Sequence, residues 1–324
     1  MQRKSAWKLR GILWATDVVT MLQRLSLLRN AELKDILQRC GWPVSGTKAV
    51  MAKEIQIQLH RSRLMTYRRS SPGALEPAEN QLDEHRILSL DMGIKNMAVC
   101  LLKVSRQELL SREPAAPEII SWRRFSFFDH HDPKNGCEGE NVQDMDFASA
   151  SLAPLATALA RHLITTHDPT IIAIEKQRYR TMGSAAVQEW TIRVNKLEAM
   201  LHAALRVLQE EGVWVQGAIH SICPQRTTGY WLGRYGLDDG IRKGAVTKPL
   251  KVKLVRSWLE KGHNVVYRKN NSLAADAASL FCKVSGQTKT KTGEKLDDLA
   301  DCLLQGLAII HWEIDRLKLL KDYE

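Results

Sequence analysis

Four acidic residues, set far apart in the chain and bound to apolar runs, most constrain how this sequence can fold. Asp91 closes Ile87-Leu88-Ser89-Leu90-Asp91, and Glu175 closes Ile171-Ile172-Ala173-Ile174-Glu175. Asp297 and Asp301 fall in Leu296-Asp297-Asp298-Leu299-Ala300-Asp301. The first two segments read as buried strands and the third as the start of a helix. A carboxylate at the end of a hydrophobic strand is costly unless it is paired or binds a cation. A fold that brings the three segments into one core would turn that cost into a divalent-metal site.

The intervening sequence has the element order such a core needs. Strand patterns cover His85–Asp91, Met97–Val104 and Ile119–Phe127, with Gly93-Ile94-Lys95-Asn96 as a tight turn between the first two. Next come a helix over 148–166, a strand over Thr170–Lys176, a long helix over 184–210 and a strand over Val213–Ile222. A helix over Lys248–Lys261, a short strand over Asn264–Tyr267 and a final helix from Leu296 to Leu320 complete the order. No internal repeat is present, and 129–145 and 283–295 carry no element pattern. The expected fold class is α/β, a mixed sheet covered on both faces by helices.

On the final helix each residue advances about 100°. Leu296, Leu299, Ala300, Leu303, Leu307 and Ile310 make the buried stripe. Asp297 and Asp301 lie one turn apart on its flank, about 40° from each other, and Asp298 points further outward. Asp297 and Asp301 are therefore the first candidates to face the sheet, with Asp298 third. Carboxylate oxygens suit Mg²⁺, a hard cation usually held by a few carboxylates and a substrate phosphate. Two such ions about 4 Å apart can activate water and stabilise a leaving oxygen in phosphodiester cleavage.

Charge points to the substrate. The chain has 47 Lys and Arg against 36 Asp and Glu, a formal net charge of +11, which suits a polyanion, either nucleic acid or an anionic membrane surface. No apolar run approaches the roughly 20 residues needed to span a bilayer. Six cysteines occur without a C-x-x-C pair, against a zinc ribbon or a secreted disulfide scaffold. His130-His131, with Asp129, Asp132 and Cys137, runs into the turn Pro133-Lys134-Asn135-Gly136 and reads as a loop. Gly233-Arg234-Tyr235-Gly236 is not a phosphate-binding loop, and no nucleotide cofactor is expected.

The front of the chain divides into three parts. Residues 1–25 are basic, acid-poor and amphipathic, the pattern of a mitochondrial transit segment. Residues 26–60 read as a helix–loop–helix, with Asn30 as N-cap of the first helix, a break at Gly41-Trp42-Pro43-Val44-Ser45-Gly46-Thr47-Lys48, and a second helix to Leu59. With Leu33, Leu37, Gly41, Pro43, the Ser45-Gly46-Thr47-Lys48 string and Leu59 in place, this segment resembles the SAP motif. That resemblance implies DNA binding, with Lys48 as a contact. Residues 61–84 form a basic linker opened by Arg61, Arg63, Arg68 and Arg69, and 85–324 form the large domain.

Taken together, Leu90-Asp91-Met92-Gly93-Ile94-Lys95-Asn96, Ile174-Glu175-Lys176-Gln177-Arg178-Tyr179-Arg180 and Asp297-Asp298-Leu299-Ala300-Asp301 carry a further resemblance. The chain is similar to Holliday-junction resolvases of the RuvC branch of the RNase H-like superfamily, and more closely to the fungal mitochondrial cruciform-cutting resolvases. The resemblance implies an RNase H-like nuclease domain and a homodimer that nicks four-way branched DNA in symmetric pairs, using Mg²⁺ or Mn²⁺. Asp91, Glu175, Asp297 and Asp301 would be catalytic, and alignment to RuvC would pair Asp298 with Asp301 instead. Arg178 and Arg180 could hold phosphates beside the metals, and Arg193 and Lys196 lie on the long helix that in this family lines the dimer and junction centre. Lys251 and Lys253, in a basic stretch with Lys248, complete the expected DNA contacts.

Overall fold

The apolar runs that end in Asp91 and Glu175 form the middle of a six-stranded sheet. The computed structural model describes residues 21–64, 67–71, 74–77, 82–111, 116–127, 147–177, 188–215, 217–235, 247–283 and 296–323. In chain order the elements begin with α1 (Asn30–Arg39), α2 (Lys48–Leu59), β1 (Tyr67–Ser71), β2 (Ala74–Pro77), β3 (Glu84–Asp91) and β4 (Met97–Ser105). Then come α3 (Arg106–Leu110), β5 (Glu118–Phe125), α4 (Ser149–His167), β6 (Ile171–Glu175), α5 (Glu189–Glu210) and β7 (Ala218–Ile222). The last are α6 (Pro224–Arg234), α7 (Thr247–Lys261), β8 (Val266–Tyr267), α8 (Ser272–Lys283) and α9 (Leu296–Tyr323).

The large sheet has the order β7-β6-β3-β4-β5-β8. Strands β3, β4 and β5 are antiparallel neighbours, while β6 runs parallel to both β3 and β7. Strand alternation sends Leu88 and Leu90 of β3, Val99 and Leu101 of β4, and Ile172 and Ile174 of β6 into one core. Leu152, Ala156, Leu159 and Leu163 of α4 and Val194, Leu197, Leu201 and Leu205 of α5 cover that face. The opposite face, which carries Ser89 and Asp91, packs on α9. A Cβ added to Gly306 would stand 2.8 Å from Leu102 and 3.2 Å from Ser89, so the helix lies hard against the sheet.

Several elements differ from the expected pattern for identifiable reasons. Strand β7 starts at Ala218 rather than Val213. Gly212 takes a left-handed φ of 80° after α5, and the Trp214 indole donates to the Pro169 carbonyl at 2.6 Å. Helices α6 and α8 were not expected. The first buries Thr227, Tyr230 and Trp231, at helical spacing after a proline start. The second is alanine-rich and stacks Phe281 on Trp122 at 5.0 Å between centroids. Within the expected linker, β1 and β2 pair as an antiparallel hairpin. Segments 129–145 and 284–295, and residues 1–20 of the expected transit segment, lie outside the described residues.

The chain divides into two compact units. The sheet unit contains residues 64–224 and 237–307, and the helical unit contains the chain up to Arg63, 225–236 and 308–324. The expected boundaries at 25 and 85 do not coincide with this division. Met21 and Leu25, inside the expected transit stretch, are buried with Leu33, Leu37, Met51, Ile55, Leu59 and Leu319 in one apolar core. That core draws on the end of α9, so the helix–loop–helix is completed by the chain's far end. Asn30 is not the N-cap of α1. Arg29 holds that position, and its backbone N–H is met by the Glu32 carboxylate at 2.6 Å.

Arg63, expected in a basic linker, is instead inside the helical unit. Its guanidinium donates to the carbonyls of Cys40 and Gly41 at 2.8 and 3.1 Å and lies 5.1 Å from the Trp312 ring centroid. Arg316 donates to the Leu59 carbonyl and to both oxygens of Glu313, which also accepts from Ser62. Buried charge is satisfied at each point, as it must be in a dry core. Gly41 is doubly required, because its φ is +65° and an added Cβ would fall 2.2 Å from the Trp312 ring. Gly41→Ala should therefore destabilise the helical unit by about 2–4 kcal/mol, measured by urea denaturation, whereas a neutral result would remove this packing argument.

Candidate active site

Sheet register places two carboxylates side by side. Leu90 of β3 stands opposite Ile174 of the parallel β6, so Asp91 and Glu175 follow at matching ends of adjacent strands. The sharp exit from β3 depends on Gly93, since a Cβ there would come 2.5 Å from the Asn96 carbonyl oxygen. Arg124 of β5 donates to the Asn96 side chain at 3.0 Å and holds the same turn. Beyond Glu175, the Gln177 backbone N–H donates to Glu198 of α5 at 2.9 Å.

Helix α9 crosses this pair on the other side. Gln305 is buried and its amide nitrogen lies 3.0–3.1 Å from Ser89 Oγ and from the carbonyls of Leu90 and Ala173. One side chain thereby pins the helix over the seam between β3 and β6. Asp301 and Asp297 lie one and two turns before Gln305, which carries them toward the strand ends that hold Asp91 and Glu175. Helix α7 meets α9 with two ion pairs. Lys248 Nζ is 2.5 Å from Asp297 and Lys251 Nζ is 2.7 Å from Asp301.

The acids act on one another through charge. Asp91 is half-buried, and its carboxyl is held well above the usual carboxylate range. Burial is the largest cause, followed by the charge of Glu175 and a hydrogen bond with it, then the charges of Asp301 and Asp298. Asp301 is also pushed up by burial, with Lys251 pulling it down and Glu175 and Asp297 pushing it up. Glu198 is raised, first by burial, against the pull of the Gln177 N–H.

These residues fit a hard divalent cation in chemistry. The donors are all carboxylate oxygens, and the charges of Glu175, Asp301 and Asp298, which add to burial in raising Asp91, are ones that a cation would offset. Among the described residues, no three Asp, Glu, His or Cys side chains stand in a ready-made ligand cage. Asp297 and Asp301 are instead turned to ammonium groups.

The expected site residues are distributed unevenly. Asp91, Glu175, Asp298 and Asp301 act on one another electrostatically. Asp297, preferred over Asp298 on helical spacing, is buried and engaged by Lys248, whereas Asp298 contributes to the field at Asp91. Lys251 is paired with Asp301, Lys253 is exposed on α7, and Lys48 is exposed at the start of α2. Arg193 lies 3.9 Å over the Phe147 ring and pairs with Glu189, and Lys196 donates to the Phe147 carbonyl at 3.1 Å. Those two side chains thus hold the residue that leads into α4. Arg178 and Arg180 lie outside the described residues. Gln305 and Glu198 escape sequence reasoning, although a glutamine two turns after Asp297 in an apolar helix was a visible signal.

A carboxyl with a folded-state pKa above its unfolded value holds its proton more tightly when folded. Its stabilising contribution is present at low pH and is lost as pH rises through the folded value. Without metal, Asp91 and Asp301 should therefore make stability fall as pH rises from the unfolded carboxylate range toward neutrality. Asp91→Asn should raise metal-free stability at neutral pH, on the order of 1 kcal/mol, and flatten that slope in thermal melts in EDTA. A destabilised Asp91→Asn protein would contradict the shared charge field.

Comparison with known proteins agrees with this geometry. Residues 87–319 match the family described as "Mitochondrial resolvase Ydc2 / RNA splicing MRS1". "Cruciform cutting endonuclease 1, mitochondrial" of Schizosaccharomyces pombe is 26% identical over 232 residues, 70% of this chain and 78% of that protein. The protein of the same name from Saccharomyces cerevisiae is 24% identical over 269 residues, 74% of this chain and 69% of that protein. The crystal structure of the yeast mitochondrial Holliday junction resolvase Ydc2 aligns with a TM-score of 0.58 at 22% identity, covering 91% of this chain and 99% of that one. The fold is accordingly RNase H-like, with a mixed sheet between helices. Because the matched span takes in both strand-end carboxylates and the acids of α9, this chain belongs to the mitochondrial resolvase Ydc2 / RNA splicing MRS1 family.

Proposed function

We propose that this chain is a mitochondrial endodeoxyribonuclease that resolves four-way (Holliday) DNA junctions by paired, symmetric nicks. The observation that carries the reading is the placement of Asp91 and Glu175 at matching ends of adjacent strands, with Asp298 and Asp301 of α9 acting on Asp91 by charge, in a chain of a resolvase family. Asp91, Glu175 and Asp301, with Asp298 or Asp297, would hold Mg²⁺, and Mn²⁺ would substitute. Bound there, the ions would supply water activation at neutral pH and neutralisation of the leaving 3′ oxygen.

The chain's own residues supply position and exclusion. Gln305 fixes α9 over the β3–β6 seam, so the acids of the helix and the sheet keep a set spacing. Glu198 orients the backbone just after Glu175, where Lys176 is exposed. Lys253 and the segment that bears Arg178 and Arg180 would contact phosphates, with salt-sensitive affinity. The SAP-like module would add DNA contacts through Lys48. Two copies with symmetric sites suit opposed strands of a junction. Trp190 and Ile192, 42% and 47% exposed on the first turns of α5, are consistent with a homodimer through that helix.

A second reading is binding without cleavage, because the family description joins a resolvase with an RNA-splicing protein. The presence of Asp91, Glu175, Asp297, Asp298 and Asp301 together supports the catalytic reading. Asp91→Asn and Glu175→Gln should retain junction binding in gel-shift titrations yet lose cleavage of a migratable four-way junction by about 10³-fold or more. Undiminished cutting by either variant would overturn the site. Absence of cutting by the wild-type protein with Mg²⁺ would favour the binding role.

A further inference from the structure

Two of the acids that would hold metal already have cations. Lys248 and Lys251 lie about one turn apart on α7, and Asp297 and Asp301 about one turn apart on α9. The facing helices thus form a two-rung ladder with N–O distances of 2.5 and 2.7 Å. An ammonium at such a distance occupies the oxygen that a hard divalent ion would need.

We propose, building on the metal-dependent reading above, that Lys248 and Lys251 are internal counter-ions that compete with divalent metal for Asp297 and Asp301. They hold the acidic helix in place without metal, and their displacement is part of loading the site. The rungs are not equivalent. The Lys248 side chain is 62% exposed and can swing into water, whereas that of Lys251 is 18% exposed. Lys251 is therefore the stronger competitor, because a less solvated pair is less screened. This accounts for carboxylates that influence one another electrostatically without forming a ligand cage. Charge alone would not distinguish these lysines from others on α7. Lys261, exposed at the far end of the helix, supplies the comparison.

The test is Mn²⁺ binding to the full chain, followed by the electron paramagnetic resonance of the free ion, with thermal melts in EDTA and in saturating Mn²⁺. Lys251→Gln should tighten Mn²⁺ binding about 3- to 10-fold, and Lys248→Gln by a smaller factor. Lys251→Arg and Lys261→Gln should remain within about two-fold of wild type. The Lys251→Gln melt should fall below wild type in EDTA and recover with Mn²⁺, since the metal replaces the lost counter-ion. If Lys251→Gln does not fold, Lys248→Gln, altered at an exposed side chain, carries the test. Unchanged or weakened binding in the glutamine variants, with wild type binding normally, overturns the competition. No binding by folded wild type overturns the metal reading and the inference with it.

Discussion

Like charges that converge at the ends of buried strands must be balanced, and this requirement organises the sheet unit. Asp91 and Glu175 stand side by side because β3 and β6 pair in parallel register. Their mutual repulsion adds to the burial that keeps Asp91 above its ordinary range. A helix that brings further aspartates to the same place would be untenable without cations, and α7 provides two lysines. In the proposed function, this concentration of negative charge is where a phosphodiester and its metals would meet the chain.

The scaffold keeps this arrangement with few polar contacts. Gln305 joins the helix to both strands, and Gly306 beside it lets the helix approach Leu102 and Ser89 closely. Gly93 and Arg124 fix the exit from β3, and Glu198 fixes the exit from β6. In the helical unit, Arg63, Glu313 and Arg316 perform a comparable task, meeting the backbone ends of α1 and α2. Such buried polar groups are tolerated because each has several partners.

Much of this was legible in the sequence. Apolar runs that end in acids place Asp91 and Glu175 at strand ends, where β3 and β6 do stop, and α9 announces itself by its leucine stripe. What the helical period could not show is the neighbour. It ranks Asp297 above Asp298 by angle to the buried stripe, but α7 meets that flank with Lys248, and Asp298 adds its charge at Asp91. The pairing of Lys251, an expected DNA contact, with Asp301 is hidden for the same reason, since its partner is 50 residues away. Arg63 looked like solvated linker because its role depends on Trp312 and two carbonyls at the end of α1. Helix α8 was missed because alanine-rich sequence lacks the apolar period, and its anchor on Trp122 is long-range. The burial of Leu25 is not legible locally, because it shares a core with Leu319 at the other end of the sequence.

The central claim is that acids from β3, β6 and α9 form one metal-binding centre. Anomalous scattering from crystals grown with Mn²⁺ tests it most directly. The account predicts manganese held by Asp91, Glu175 and Asp301, with Lys251 withdrawn from the Asp301 carboxylate. Manganese bound elsewhere, or no peak beside Asp91 at saturating metal, would contradict it.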